Sequence, residues 1–273
     1  MKKILFALLA FGALQVSAQG IKMPAASPTQ NIKQDFALSS IEINYSRPSK
    51  KGRDIFGSLV PYGSVWRTGA NGPTTITFGQ EVNIGGKDLK AGTYSLLTVP
   101  EKKEWEIILA KKGTSVFDYK SEDDVIRFKA EAYEIPAVIE TFTILLDNQS
   151  SNSVTLELLW DNVVVDIPIS VEIDAQIMGQ IDEVMNKDNK PYFAAASYYY
   201  ENGKDLNKAY AWAQKAAEAQ PDAYWVRHLL AKVAAKTGHK TEAIAAAKAS
   251  MEMAKKAGNM DYVRLNETLI KSL

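Results

Sequence analysis

The sequence of 273 residues contains no cysteine. This absence excludes disulfide bonds, zinc-thiolate sites and catalytic thiolates, so packing and hydrogen bonds have to hold the fold. It also excludes the lipid-bearing cysteine of bacterial lipoproteins. Only two histidines occur, His228 and His239, and their spacing of eleven residues builds no metal-ligand motif. The sequence therefore predicts no metal site and no cofactor.

An excess of charge of either sign is absent as well. The 32 basic residues cancel the 32 acidic residues, so no net field attracts a nucleic-acid backbone or an anionic membrane. Apolar residues make up 46% and charged residues 23% of the sequence, which excludes a disordered chain and a polytopic membrane protein. The composition predicts a folded protein with no nucleic-acid partner.

Long apolar runs are rare, and the one that matters stands near the beginning, at residues 4–14. Lys2 and Lys3 precede it, and the small residues of Val16-Ser17-Ala18 follow it, as in a secretory signal peptide. A transmembrane anchor needs about 20 apolar residues, which this run does not reach. The pattern predicts a signal peptide over residues 1–18, export to the periplasm or the cell exterior, and no membrane anchor after cleavage.

The sequence that follows is β-rich as far as about residue 171. Short runs of β-branched and aromatic residues alternate with Gly, Pro, Asn and Asp, and Asp161-Asn162 indicates a tight hairpin turn. This pattern predicts an antiparallel β-sandwich or barrel over residues 19–173. The predicted strands are Thr74–Phe78, Val82–Ile84, Thr93–Val99, Trp105–Leu109, Val125–Lys129, Glu140–Leu146, Val154–Trp160 and Val163–Ser170.

Alanine-rich helical segments replace the strands after about Asp174. Residues 208–213 match residues 242–247 at an offset of 34 residues, which is the tetratricopeptide period. The sequence therefore predicts a tetratricopeptide-like α-helical domain over residues 174–273, and an α+β protein organised by domains. Two alternatives remain open for the helices: they bind a protein partner, or their alanines and aromatic residues only pack helix on helix.

The least regular part of the β-rich region is residues 51–71, a segment with four glycines that predicts an ordered loop over the sheet. Its motif is Gly52-Arg53-x-Ile55-Phe56-Gly57 followed by Val60-Pro61-Tyr62-Gly63-x-Val65-Trp66-Arg67-Thr68-Gly69-Ala70-Asn71, and the pattern continues through Ile84-Gly85-Gly86 and Ala91-Gly92-Thr93-Tyr94 to Trp160. This pattern resembles the domain of unknown function 2911 family, which consists of exported proteins common in Bacteroidetes. The resemblance implies an exported β domain, often with tetratricopeptide-like helices behind it, and no established activity.

The side chains of loop 51–71 suggest a ligand-binding site. Arg53 and Arg67 would bind a carboxylate, phosphate or sulfate, while Tyr62 and Trp66 offer flat faces to a sugar or an aromatic group. Asn71 adds a hydrogen-bonding amide. In the alternative interpretation the apolar residues of the loop plug the end of the sandwich, and the arginines pair with nearby carboxylates. The carboxylates considered are Asp54, Glu81 and Asp124.

Two functions from different classes follow. In the first, the chain is a non-catalytic binding module whose loop 51–71 caps a site for a small anionic or sugar-like ligand. In the second, the chain is an adaptor whose helical repeats recruit an envelope protein partner. No serine elbow, phosphate-binding loop or dinucleotide fingerprint occurs, so the sequence assigns no catalytic residue.

Overall fold

The computed structural model describes residues 23–273, which form two compact units that meet in sequence at Glu172 and Ile173. The predicted signal peptide lies outside these residues. The first unit is a large antiparallel β-sheet and the second consists of six helices, so the predicted α+β fold in two domains is confirmed. None of the helices between residues 23 and 273 combines the length and the apolar character needed to span a bilayer.

The first unit contains nine strands, all paired antiparallel, in the order β1-β2-β3-β6-β7-β8-β9-β4-β5. A short 3-10 helix at Ser121–Asp123 precedes the eighth strand. The strands are β1 (Thr29–Phe36), β2 (Ser39–Ser46), β3 (Thr74–Phe78), β4 (Val82–Ile84), β5 (Lys87–Leu89), β6 (Gly92–Val99), β7 (Glu104–Lys111), β8 (Asp124–Asp147) and β9 (Ser153–Ser170).

Side-chain polarity explains how the strands are placed. In β3 the residues Thr74, Ile76 and Phe78 are buried while the two threonines between them are partly exposed, as expected for a strand with one face on the core. In β7, which pairs with β6 and β8, the consecutive residues 107–110 are all buried. An uninterrupted apolar run of this kind is typical of a strand that is covered on both faces.

The two longest strands differ from the prediction. Residues 124–147 form one strand, β8, whose first part pairs with β7 and whose second part pairs with β9. The predicted turn at Asp161-Asn162 is wrong, because β9 runs through both residues. Asp161 has a φ of 56° and pairs with Ile139, where the register between the two strands shifts. The left-handed residue therefore accommodates a bulge and not a chain reversal.

Backbone hydrogen bonds also join the segment that follows β2 to the second part of β8. The amide of Lys50 donates to the carbonyl of Glu140 at 2.7 Å, and the amide of Phe142 donates to the carbonyl of Pro48 at 2.9 Å. These bonds link two strands that lie far apart in the order of the sheet. The curved sheet thereby surrounds a core of large apolar side chains, among them Phe36, Tyr45, Ile76, Phe78, Trp105, Ile107, Phe142, Leu156, Trp160 and Ile167.

The second unit contains the helices α1 (Asp174–Met185), α2 (Tyr192–Glu201), α3 (Leu206–Ala219), α4 (Tyr224–Lys236), α5 (Lys240–Lys256) and α6 (Met260–Lys271). From α2 onward each helix packs against the next one in the chain. Helix α3 begins where Asp205 accepts hydrogen bonds from the amides of Asn207 and Lys208, at 2.9 and 3.1 Å. Small side chains let the helices approach closely; the buried alanines include Ala195, Ala196, Ala209, Ala213, Ala216, Ala217, Ala231 and Ala247.

A buried polar network joins α4, α5 and α6. Asn266 is completely buried; its carbonyl oxygen lies 2.8 Å from Nδ1 of His228, and its amide nitrogen donates to Oγ of Ser250 at 2.9 Å. Ser250 in turn donates to the backbone carbonyl of Tyr224 at 2.7 Å. Each buried polar atom in this chain of contacts has a partner, which is the condition under which such a network stabilises a fold.

Candidate functional site

Loop 51–71 connects β2 to β3 and is fastened along β6. Trp66 exchanges two backbone hydrogen bonds with Thr98, at 2.7 and 3.0 Å, and the amide of Gly63 donates to the carbonyl of Pro100 at 3.0 Å. Within the loop, Ile55 and Val60 are buried, and the amide of Val60 donates to the carbonyl of Ile55 at 2.9 Å. The loop is therefore an ordered part of the β unit.

Two half-buried aromatic residues of the loop pack against large side chains of the core. Phe56 and Trp66 contact Trp105, Phe142 and Trp160, with ring centroids between 5.0 and 6.3 Å apart. Trp66 is stacked on Trp160 at 5.9 Å with an angle of 17° between the rings. We call these five residues the aromatic cluster. The ring of Trp66, predicted as a face for a ligand, is one of its members.

Arg53 directs its guanidinium back to the two residues that precede its loop. Its Nε donates to the carbonyl of Lys50 at 2.9 Å, and its Nη2 donates to the carbonyl of Ser49 at 2.5 Å. These bonds fix the backbone at the start of the loop, directly after Lys50, which is hydrogen-bonded to β8. Tyr62 faces its own loop, since a Cβ built on Gly57 would lie 2.7 Å from the Tyr62 ring.

Asn71 ties the end of the loop to the segment before β1 and to the last residue of β2. It has a φ of 60°, and its side-chain amide donates to the carbonyl of Ser27 at 3.1 Å and to Oγ of Ser46 at 3.2 Å. Its carbonyl accepts a hydrogen bond from Nη1 of Arg67. Among the five residues predicted to form the site, the structure thus brings Arg67 and Asn71 together, while Arg53, Tyr62 and Trp66 contact the residues before the loop, other parts of the loop and the core.

Arg67 differs from Arg53 in how many of its guanidinium N–H groups are hydrogen-bonded. Apart from the bond to Asn71, its guanidinium makes no hydrogen bond or ion pair with residues 23–273. It lies over the ring of Phe117, with 4.8 Å between Cζ and the ring centroid. The Phe117 side chain is 84% exposed. We call Arg67 and Phe117 the arginine–phenylalanine patch.

Sequence reasoning missed Phe117, because a single phenylalanine between polar residues carries no periodic signal. The segment that carries it is fastened on either side: Val116 and Tyr119 pack against the buried residues Leu97 and Ile108. Tyr119 also donates to Oδ1 of Asp124 at 2.9 Å. Burial raises the pKa of Tyr119, and the hydrogen bond to the Asp124 carboxylate raises it further.

None of the carboxylates considered as partners, Asp54, Glu81 and Asp124, pairs with Arg53 or Arg67. Asp124 accepts from Nε of Arg127 at 2.9 Å, and Nη1 of Arg127 donates to Glu106 at 2.5 Å. Both loop arginines instead donate to backbone carbonyls, as described above. Loop 51–71 is thus held by main-chain acceptors and by the aromatic cluster.

Comparison with known proteins addresses the part of the chain that contains this loop. The family described as "Protein of unknown function (DUF2911)" matches residues 27–169, which is more than half of the sequence. The chain belongs to the DUF2911 family. The resemblance inferred from the motif is therefore confirmed. No curated protein and no solved structure matches the chain.

Two surface depressions lie within the DUF2911 region. One, of about 650 Å³, is formed by the β6–β7 hairpin and β8 and is lined mainly by charged residues: Val99, Glu101, Lys102, Lys103, Glu104, Glu106 and Lys129. Its charges are partly paired, since Lys129 lies 2.6 Å from Glu104. The other, of about 340 Å³, lies where β8 and β9 separate, and Gly85, Gly86, Phe128 and Asp166 contribute to its lining.

The second of these depressions contains an acidic residue in an unusual environment. Oδ2 of Asp166 accepts a hydrogen bond from Tyr133 at 3.0 Å, whereas its Oδ1 is buried without a partner among residues 23–273. Burial raises the pKa of nearby Glu157, and the Asp166 carboxylate adds to this rise. The described part of the chain contains no group of three or more His, Cys, Asp or Glu residues arranged to hold a metal ion.

A third depression, of about 270 Å³, lies outside the DUF2911 match, between α3, α4 and α5. It is lined by Gln214, Ala217, Glu218, Arg227, Leu230 and Glu242, and we call it the helical groove. Glu242 accepts hydrogen bonds from the hydroxyl of Tyr210 and from the amide of Gln214, the latter at 3.1 Å. Burial and the Glu242 carboxylate raise the pKa of Tyr210 to about 12.

Proposed function

We propose that the chain is a non-catalytic binding module, in which the DUF2911 unit holds a small anionic or sugar-like ligand beside loop 51–71. The observation that supports this proposal is the arginine–phenylalanine patch. A guanidinium with free donors binds carboxylate or phosphate oxygens, and an exposed aromatic face stacks on a sugar or another ring.

In this proposal the predicted site residues divide into two groups. Arg53, Tyr62, Trp66 and Asn71 form the frame of the loop, because their polar groups and rings contact the protein itself. Arg67 makes the contact with the ligand, and Phe117 joins it. A rigid frame lowers the entropic cost of binding, since the cationic group is already positioned before the ligand arrives.

The test is thermal unfolding of residues 19–273 against a panel of organic acids, sugar acids, sugar phosphates and neutral sugars. A ligand present at a hundred times its dissociation constant adds about 2.7 kcal/mol to the stability of the folded state. We expect one class of anion to raise the melting temperature of the wild-type protein and of Arg53→Gln. The same compound should leave Arg67→Gln unchanged.

The two arginine variants separate a frame residue from a contact residue. Arg53→Gln loses two hydrogen bonds to backbone carbonyls, so it should melt at a lower temperature and still respond to the ligand. If Arg67→Gln responds to the anion as the wild type does, the proposed site is wrong. A panel that leaves the wild type unchanged, including phosphate esters and uronic acids, also argues against it.

The cellular location is part of the same proposal. We propose that residues 1–18 are removed on export and that the mature chain begins at Gln19 in the periplasm or outside the cell, in accordance with the signal-peptide pattern. N-terminal sequencing of the protein from a periplasmic fraction should give Gln-Gly-Ile-Lys. Recovery of the protein from the cytoplasm with residues 1–18 intact would contradict export.

A second candidate function is that of an adaptor that recruits an envelope protein through the helical repeats. The observation that favours it is the helical groove, whose Arg227 makes no ion pair within residues 23–273. A photo-crosslinking amino acid at Gln214 should give an adduct of defined mass in the producing cells. The same amino acid at exposed Lys255, on the same unit, is the control; equal adducts at both positions would contradict a specific partner.

A further inference from the structure

Arg67 offers one complete edge of its guanidinium to a ligand. Its Nη1 donates to the carbonyl of Asn71, whereas its Nε and Nη2 make no hydrogen bond or ion pair with residues 23–273. The N–H groups of Nε and Nη2 lie side by side on the planar guanidinium and point in the same direction. This edge is the fork that binds both oxygens of one carboxylate.

The guanidinium of Arg67 is oriented before a ligand arrives. Asn71, whose carbonyl accepts the Nη1 hydrogen bond, is itself held by its side-chain amide, which donates to the carbonyl of Ser27 at 3.1 Å and to Oγ of Ser46 at 3.2 Å. The backbone carbonyl of Arg67 accepts from the amide of Thr74 at 3.4 Å. An oriented fork loses little conformational freedom when it binds, which lowers the entropic cost.

One small apolar cluster positions both members of the arginine–phenylalanine patch. Val65, two residues before Arg67, and Val116, directly before Phe117, pack against the same four buried side chains. These are Leu97, Val99, Ile108 and Ala110. The loop that carries the fork and the segment that carries the ring are therefore anchored together, with 4.8 Å between Cζ of Arg67 and the ring centroid.

The Phe117 ring favours a carboxylate over a phosphate or sulfate at this fork. Because the guanidinium lies over the ring, an anion bound to the guanidinium also lies close to the ring. A carboxylate is planar and has no further oxygen once both of its oxygens bind the fork. A phosphate or sulfate group is tetrahedral and keeps further oxygens, which the negative face of an aromatic ring repels.

The exposure of Phe117 indicates what carries the carboxylate. Its side chain is 84% exposed, so a ligand that packs on it keeps its own outer side in water. A sugar suits this position, because its C–H bonds pack on the part of the ring that Arg67 leaves uncovered while its hydroxyl groups stay hydrated. An aromatic acid would instead leave an apolar face in water.

We infer that the ligand of the arginine–phenylalanine patch is a sugar that carries a carboxylate, of the uronic acid class. Nε and Nη2 of Arg67 donate to the two carboxylate oxygens, and the sugar ring packs on Phe117. The inference rests on the binding function proposed above and names the ligand class of the same site.

The experiment follows the Nε–H signals of the arginines in proton–nitrogen NMR spectra of residues 19–273. The Arg67 signal is identified as the one that Arg67→Lys lacks. The probes are methyl glucuronoside, methyl glucoside, glucose-6-phosphate and benzoate. We expect the glucuronoside to shift the Arg67 signal to saturation and the neutral glucoside to leave it unchanged. The glucuronoside should bind at least about fivefold more tightly than the phosphate, although a phosphate monoester carries more charge at neutral pH.

Three variants test the contacts, with binding of the glucuronoside measured by isothermal titration calorimetry. Arg67→Lys keeps the positive charge and loses the planar fork, so it should weaken binding at least about fivefold. Phe117→Leu keeps an apolar side chain and loses the flat ring, so it should weaken binding about threefold. Arg264→Lys changes an exposed arginine of the helical unit that pairs with Asp261, and it should bind as the wild type does. The backbone amide signals check that each variant is folded.

Each outcome decides the inference. Equal or tighter binding of glucose-6-phosphate or benzoate, no binding of the glucuronoside, or unchanged binding by Arg67→Lys overturns a uronic acid at the fork. Unchanged binding by Phe117→Leu overturns the contact of the sugar with the ring. If the uronic acid fails while another anion of the thermal panel still depends on Arg67, the binding function stands and only its ligand class is wrong. If the thermal panel also leaves the wild type unchanged, the binding function is wrong as well.

Discussion

The indole of Trp66 has two contacts that hold loop 51–71 in place. Its ring packs in the aromatic cluster, and its Nε1 donates to the carbonyl of Gly69 at 3.1 Å. Gly69 is itself confined, because a Cβ at this position would lie 2.9 Å from the carbonyl oxygen of Ser46. A single side chain thus connects the aromatic cluster of the β unit with the turn of loop 51–71 at Gly69.

Replacing this indole should destabilise the β unit. Trp66 is half-buried, so we expect Trp66→Ala to lower the free energy of unfolding by about 2–4 kcal/mol, less than the same substitution of a fully buried aromatic residue. Trp66→Phe keeps a ring in the cluster and loses the hydrogen bond to Gly69, so its cost should be about 1–2 kcal/mol. Urea unfolding followed by near-ultraviolet circular dichroism measures both. Equal stability of Trp66→Ala and the wild type would show that the ring contributes nothing to the fold.

Gly85 and Gly86 provide a matched pair at the turn between β4 and β5. Both have a positive φ, of 59° and 72°, but a Cβ on Gly85 would lie 2.1 Å from the ring of Phe128 whereas a Cβ on Gly86 would meet nothing. Gly86→Ala should therefore cost only the left-handed backbone strain, about 1–2 kcal/mol. Gly85→Ala should cost about 1–3 kcal/mol more, because the Phe128 ring has to move. Chemical denaturation of the two variants checks the difference; equal costs would contradict the contact.

At the scale of elements, the network of His228, Ser250 and Asn266 fixes three helices to one another. The carbonyl oxygen of Asn266 accepts from Nδ1 of His228, so the neutral imidazole fits the network with its proton on that nitrogen. Burial lowers the pKa of His228, and the positive charge of nearby Lys232 lowers it further. The hydrogen bond to Asn266 acts in the opposite direction and is outweighed.

This lowered pKa predicts a pH dependence of stability. In the unfolded chain a histidine titrates near about 6.5, so below that pH the unfolded state binds more protons than the folded state. The stabilising contribution is complete above the unfolded pKa, and it is lost as the pH falls through the folded pKa. We expect the wild type to lose more stability than His228→Gln between pH 7.5 and pH 5. Parallel urea midpoints of the two proteins over this range would contradict the prediction.

Some strands of the β unit could be predicted from the sequence pattern, and others could not. Thr74–Phe78 and Val82–Ile84 were predicted with their observed bounds, because alternation or a short apolar run is bounded there by turn residues. β1 and β2 were not predicted. β1 reads Thr-Gln-Asn-Ile-Lys-Gln-Asp-Phe at the edge of the sheet, where polar side chains face water and no apolar alternation marks the strand.

The candidate site was predictable only in its location. The motif identified loop 51–71, but the directions of its side chains depend on residues such as Thr68 and Asn71, whose φ values of 53° and 60° are uncommon outside glycine. No residue pattern distinguishes Arg53, whose donors turn back to the main chain, from Arg67, two of whose nitrogens have no hydrogen-bond partner within residues 23–273. The exposed ring beside Arg67 comes from another segment and is brought there by the fold.

At the scale of the whole molecule, each of the two units has a core of its own. The β unit buries large aliphatic and aromatic side chains, whereas the helical unit buries mostly alanine with Tyr199, Val226 and Leu229. We expect two transitions in differential scanning calorimetry, because each core is formed within one unit. Trp66→Ala should shift one transition, and Asn266→Ala, which leaves buried partners unsatisfied, should shift the other. A single transition that both variants shift equally would contradict separate cores.

The connection between β2 and β8 has a consequence for how the molecule is assembled. Pro48 and Phe142 are hydrogen-bonded, although more than ninety residues separate them along the chain. Contacts of such high sequence separation form late, because a long loop must close first. A growing polypeptide shorter than 142 residues contains loop 51–71 but lacks the part of β8 that packs against it. The rings of Phe56 and Trp66 are then exposed and can contact other chains. Nascent chains arrested before β8 should consequently be the species that chaperones have to protect.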